Sequence, residues 1–162
     1  MVVPCARRRT RSSATTVTAL PDRHSEGLLD TSVVIDVAVA EDAIGLPEKP
    51  SICSVTLAEL SYGVALAADP LEAARRSARY ARLRTWFAAL PFDERAADRY
   101  GELVALTRAY GREPRPRRLD LMIAAVAVSN GLPLFTMNPD DFRGLESVLE
   151  VVGPPCNRNR GK

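Results

Sequence analysis

Asp30, Glu59, Asp120 and Asn138, the last with Asp140 and Asp141 close behind, recur where a strand or loop expected from the sequence gives way to a helix. Carboxylates from separate segments placed in this way can gather at one end of a sheet. The chemistry such a set could do is that of a hard divalent cation, Mg²⁺ or Mn²⁺, which takes oxygen ligands and commonly acts on phosphate groups. Four arginines, Arg112, Arg115, Arg117 and Arg118, precede Asp120, and guanidinium forks bind phosphate oxygens readily. Arg117 and Arg118 are the two expected to position a substrate.

The elements that must hold these residues follow from apolar periodicity. Leu28 and Leu29 form a short strand ending at Asp30, and Thr31 to Val39 continues as a helix. Pro50 to Val55 is a second strand, after which Thr56 opens a helix to about Ala68. Asp69-Pro70 supplies an N-cap with proline at the first helical position, and that helix runs to about Ala89 with Leu83, Trp86 and Phe87 as apolar anchors. Leu90 to Phe92 reads as a brief strand, and Asp93 caps a helix ended by Gly111. The Ala-rich run Leu119 to Ser129 is a helix stopped by Asn130-Gly131. Leu132 to Phe135 and Val148 to Val152 complete the strands. Strands alternating with helices imply an α/β fold with a mainly parallel sheet covered on both faces, whose ligands bind beyond the carboxyl ends of the strands.

Each acidic position also has a purely structural reading. Asp30 fits a helix N-cap, worth about 1 kcal/mol. Thr56 and Glu59 have the spacing of a capping box, and Asn138-Pro139-Asp140 is good turn chemistry. Asp120 is harder to explain this way, because a carboxylate enters the first turn of a strongly apolar helix. Leu57, Leu60 and Val64 supply the apolar face of the second helix, which leaves Glu59 available to face Asp30.

Composition limits the alternatives. The 162 residues are 46% hydrophobic and 26% charged, enough for one domain with a core. A single histidine, His24, excludes zinc or triad chemistry built on His clusters and is read as an inert surface residue. Cys5, Cys53 and Cys156 are odd in number and far apart, which suits a reduced, cytoplasmic setting. No segment is apolar for long enough to span a membrane. Net charge is only +2, although arginines concentrate at 7–11, 75–84 and 112–118. Arg75, Arg79 and Arg82 share one helix face. Residues 1–26 read as a disordered basic tail or an over-extended start, 27–152 as the domain, and 153–162 as a flexible tail.

Four stretches in order bring a resemblance: Asp30-Thr31-Ser32; Ser54-Val55-Thr56-Leu57-Ala58-Glu59-Leu60; Arg118-Leu119-Asp120 with the apolar run after it; and Thr136-Met137-Asn138-Pro139-Asp140-Asp141-Phe142. The chain resembles a PIN domain, in particular the VapC-type ribonuclease toxins of bacterial toxin–antitoxin pairs. That resemblance implies a three-layer α/β/α sandwich and a Mg²⁺- or Mn²⁺-dependent endoribonuclease. It makes Asp30, Glu59 and Asp120 the acidic core, Asn138 the fourth catalytic position and Asp140 the next metal ligand, with Thr31 and Thr136 orienting water or the scissile phosphate. It also implies a cognate antitoxin that blocks the groove, and a homodimer or toxin–antitoxin hetero-oligomer using helices between Thr56 and Ala89. Water as nucleophile would leave a 5′-phosphate and a 3′-hydroxyl. The competing readings are a silent PIN-like module that only recruits a protein, and a different metal-dependent phosphohydrolase. Against the latter, Ser32 stands where a haloacid-dehalogenase-like phosphatase has its second Asp.

Overall fold

The computed structural model describes residues 24–37 and 45–153. Five strands, β1 (Glu26–Leu29), β2 (Lys49–Cys53), β3 (Ala88–Leu90), β4 (Leu134–Phe135) and β5 (Val151–Val152), form one parallel sheet in the order β3-β2-β1-β4-β5. The helices are α1 (Thr31–Val37), α2 (Ser54–Ala65), α3 (Pro70–Trp86), α4 (Glu94–Ala109) and α5 (Arg118–Asn130), with short 3₁₀ turns at Arg115–Arg117 and Pro139–Phe142.

Side chains alternate across a strand, and here adjacent strand residues feed two separate cores. Leu28, Cys53 and Leu134 point to the face covered by α4 and α5, where they meet Leu103, Leu121, Ile123 and Val126. Leu29, Ile52 and Phe135 point the other way, onto Val33, Val34 and Leu83 from α1 and α3. Two apolar layers on one parallel sheet give the three-layer α/β/α sandwich expected from the alternation. Helix α5 is apolar nearly all round because it is enclosed, with Ala124, Ala125 and Ala127 fully buried. It ends where Gly131 takes φ 65°, a left-handed cap that glycine adopts without cost. The centre of the sheet is equally tight. A Cβ on Gly27 would sit 2.4 Å from the Phe135 ring.

Several boundaries differ from expectation for identifiable reasons. The second helix begins at Ser54, so Thr56 is not its cap; the Thr56 side chain is buried, 3.5 Å from Cys53 Sγ. No capping box therefore holds Glu59. Helix α3 stops at Trp86, and the third strand is Ala88–Leu90 rather than Leu90–Phe92. Pro91 has no N–H for the ladder, so pairing shifts upstream to put Ala88 beside Ser51 and Leu90 beside Cys53. Trp86, expected as an anchor, is 58% exposed, and Leu83 and Phe87 take the core instead. The last strand is Val151–Val152, two residues rather than five.

The boundary at residue 26 also moves. Glu26 belongs to β1, and the carbonyls of His24 and Ser25 accept from the N–H groups of Glu48 and Lys49. His24 is a packed residue: its ring meets Phe135 edge-on at 5.6 Å, with Glu150 3.6 Å away. Residues 1–23, the helical continuation at 38 and 39, and the tail from 154 onward lie outside the described residues. Among the described residues no helix is long and apolar enough to cross a membrane.

Candidate active site

The central strand β1 pairs with β2 on one side and with β4 on the other. The connection after β1 runs toward β2 and the one after β4 runs toward β5, so the two leave in opposite directions and open the crevice that such folds use for ligands. Asp30 follows β1 directly and is 6% exposed. Its Oδ2 accepts hydrogen bonds from Ser32 Oγ at 2.7 Å and Thr136 Oγ1 at 2.9 Å. Thr136 stands directly after β4 and is itself buried; its oxygen accepts from the Asn138 N–H at 3.1 Å. Ser32 Oγ likewise accepts from the Met137 N–H at 3.1 Å. Two hydroxyls thus lock the turn after β1 to the turn after β4 while aiming their protons at one carboxylate oxygen.

Glu59 lies well inside α2, and its carboxylate accepts from the Thr31 hydroxyl. Burial and the nearby Asp30 charge raise its pKa, against the lowering effect of that hydrogen bond. Asp120, in the first turn of α5, completes the group. Burial, followed by the charges of Asp30, Glu59 and Asp141, pushes its pKa up to about 6, with Arg117 acting in the opposite direction. Asp30, Glu59 and Asp120 are therefore close enough to repel one another, although the sequence separates them by helices and strands.

Glu59 and Asp120 form the acidic floor of an open cleft of about 470 Å³, whose remaining lining is Arg115, Pro116, Arg118 and Leu119. Arg118 thus lines the cleft. Arg117 instead points toward the turn after β4: its Nε is 3.5 Å from Asp141 Oδ1 and makes no hydrogen bond. Asn138 is exposed, and its backbone, through the Thr136 bond, is its link to the site. Asp140 is not drawn in. It faces solvent and pairs with Arg143 at 2.8 Å. The neighbouring Asp141 is the acid that acts on Asp120, and Arg112 fixes this turn by donating to the carbonyls of Asp140 at 2.7 Å and Asp141 at 3.1 Å.

The sequence alone assigns no such roles to Ser32, Asp141 or Arg112. Ser32 carries a signal as part of Asp-Thr-Ser, whereas Arg112 and Asp141 meet only through folding. Among the described residues no group of three acids, His or Cys encloses an ion in the present side-chain arrangement. The donor chemistry nevertheless fits a hard divalent cation. Three all-oxygen side chains converge, and burial together with their mutual repulsion raises the pKa of Glu59 and Asp120.

The PIN domain family matches residues 27–146. The chain belongs to the PIN-domain family. This PIN domain is 38% identical over 127 residues to Ribonuclease VapC5 of Mycobacterium tuberculosis, a match covering 77% of this chain and 91% of that protein. Ribonuclease VapC8 of the same species is 35% identical over 101 residues, 62% of this chain and 89% of the relative. Among solved structures, VapBC-5 of M. tuberculosis, a member of the VapBC family of toxin–antitoxin systems, superposes with a TM-score of 0.68 at 35% identity, covering 80% of this chain and 99% of that one. DNA-bound VapBC from Salmonella typhimurium gives 0.64 at 25% identity, over 79% and 97% of the two chains. The PIN fold accounts for the turn after β1, the start of α5 and the turn after β4 meeting at one sheet edge.

Proposed function

We propose that this PIN domain is a Mg²⁺- or Mn²⁺-dependent endoribonuclease, the toxin of a toxin–antitoxin pair, which hydrolyses RNA phosphodiesters until its antitoxin blocks the cleft. The observation that carries this reading is the convergence of Asp30, Glu59 and Asp120 from three separate segments, beneath a rim that includes Arg115 and Arg118. Carboxylates that served only as helix caps would have no reason to repel one another in a shared cleft. Kinship to Ribonuclease VapC5 supports RNA as the substrate, and the likeness to VapBC-5 supports a protein partner. A homodimer or a hetero-oligomer with that partner is the expected assembly.

In this reading Asp30, Glu59 and Asp120 hold the cation, and Asp141 takes the fourth acidic position in preference to Asp140. When bound, the ion supplies charge stabilisation at the phosphoryl group and a water of lowered pKa. The Ser32 and Thr136 hydroxyls fix the Asp30 carboxylate, and Thr31 fixes that of Glu59, so the set is preorganised by neutral donors that leave its charge intact. Glu59 or Asp120, the two carboxylates that line the cleft, accepts the proton of the attacking water. Arg115 and Arg118 stand where they can orient phosphate oxygens. Attack by water does not use the ribose 2′-hydroxyl, so preference for RNA rests on recognition of an unpaired loop.

Purified protein freed of any antitoxin, incubated with total bacterial RNA and Mg²⁺ or Mn²⁺, tests this directly. Discrete new 5′ ends, absent with EDTA and with Asp30→Ala, are the expected result. Folded protein that binds metal yet cuts no RNA would turn the assignment to a silent PIN module.

A further inference from the structure

Helix α3 carries five arginines against a single acid, Glu72, and its exposed side is organised. At about 100° per residue, Arg75, Arg79, Arg82 and Trp86 fall within an arc of about 60°. Cβ atoms along such a stripe are about 5–6 Å apart, so the side chains leave the helix in one row, with Arg75 and Arg82 exposed and Arg79 half-buried. The packed side, marked by Leu83 and Phe87, lies on a neighbouring arc. Arg76 is drawn away from the stripe, pairing with Glu72 at 2.6 Å and donating to the Gly63 carbonyl. Arg75 and Arg79 have no ion pair among the described residues.

Trp86, 58% exposed, ends the row, with the Arg82 guanidinium over one face of its ring, 4.9 Å from the centroid. None of the four residues lines the acidic cleft. Trp86 precedes β3 by two residues, at the amino end of a parallel sheet, whereas the carboxylates stand at the carboxyl end. The indole end of the row therefore stands at the opposite end of the strands from the carboxylates, while Arg75, eleven residues earlier on α3, lies about 16 Å from it along the helix axis.

We propose that the Arg75, Arg79, Arg82 and Trp86 stripe of α3 is a second RNA-binding site, which holds a single-stranded part of the substrate away from the scissile bond. Guanidiniums one helical turn apart meet successive phosphates, and an exposed indole offers a stacking platform for a base. RNA supplies both partners of the row at once, phosphates for the guanidiniums and a base for the indole, and protein contact is the outcome that the test below separates from it. The inference rests on the ribonuclease reading above, and it predicts that this chain favours long RNA over a fragment that fills only the cleft.

Trp86 is the only tryptophan, so the full-length protein reports on the stripe by its own fluorescence. Binding of a 20-nucleotide labelled RNA to the Asp30→Ala protein in EDTA, followed by tryptophan emission and anisotropy, is the primary measurement. Saturable quenching is expected, with Kd weakened about tenfold in the Arg75→Gln/Arg79→Gln double variant and the salt slope reduced by about 1–2. Arg108→Gln, an exposed change on α4, should leave both unaltered. On the otherwise wild-type chain, the double variant should raise KM on long RNA at unchanged kcat and leave a short oligonucleotide unaffected. RNA binding without quenching and indifferent to Arg75 and Arg79, with cleavage intact, overturns the second site alone. Loss of antitoxin capture with unchanged RNA affinity reassigns the stripe to protein contact and also overturns it. No RNA binding and no cleavage by the wild-type protein removes the ribonuclease reading along with the stripe.

Discussion

The turn after β1 and the turn after β4 stand side by side at one edge of the sheet and are built in opposite ways. The first is buried, and its charged group, Asp30, is held by neutral hydroxyls from Ser32 and Thr136. The second is largely exposed, carries Asp140 and Asp141, and is held by the Arg112 guanidinium. Hydroxyl donors orient a carboxylate without cancelling its charge, so the first turn presents an uncancelled carboxylate in a low-dielectric place. Arginine partners fix a chain but spend their charge on it. The contrast separates a turn organised to present charge to a ligand from one organised mainly to stay in place.

Asp30→Ala breaks the comparison most severely: cleavage should fall by about 10³-fold or more, measured as single-turnover rates on a defined RNA. Thr136→Val, which keeps shape and removes the bond linking the turns, should cost about 10–100-fold in metal affinity or rate, read by metal titration and cleavage. Stability should fall with it by about 1–3 kcal/mol in urea unfolding, since a buried acceptor loses a donor. Asp141→Asn and Asp140→Asn test the second turn against itself. Cleavage should drop about tenfold for the first and stay within about twofold for the second, as an exposed ion pair contributes little.

Asp120 faces both turns, and its smaller effect sharpens the contrast. Its folded pKa of about 6 lies above the ordinary 3.8, so the folded state holds the proton more tightly than the unfolded chain. The metal-free protein should therefore lose stability as pH rises from about 3.8 to about 6 and stay at the lower level above that. Asp120→Asn should raise the metal-free Tm at pH 7.5 and leave it nearly unchanged at pH 3.5. Added Mg²⁺ should stabilise the wild type at pH 7.5 but not this variant.

Much of this arrangement is legible in the sequence. The apolar run before Asp30 marks a strand end, Glu59 and Asp120 fall near the starts of apolar helices, and alternation of strands with helices implies the parallel sheet that gathers them. What is not legible depends on contacts between distant residues. Asp140 and Asp141 are equivalent in sequence, and the choice between them is made by Arg112 and Arg117, which join the loop before α5 to the last 3₁₀ turn. Ser32 gains its role only because Thr136 and Met137 lie across from it. Trp86 reads as a core residue by type alone, yet the shift of β3 away from Pro91 turns Phe87 inward in its place.

The position of β1 in the sheet also bears on when the protein becomes competent during its own synthesis. Its two neighbours in space are β2, made soon afterwards, and β4, made about a hundred residues later, since Asp30 and its partner Thr136 are 106 positions apart. Pairings this distant in sequence form slowly and last. A nascent chain that has emerged only through α4 has Asp30 and Glu59 but lacks both α5 and β4, so it presents neither Asp120 nor the hydroxyl that seats Asp30. The carboxylate set is thus incomplete until α5 and β4 have both emerged.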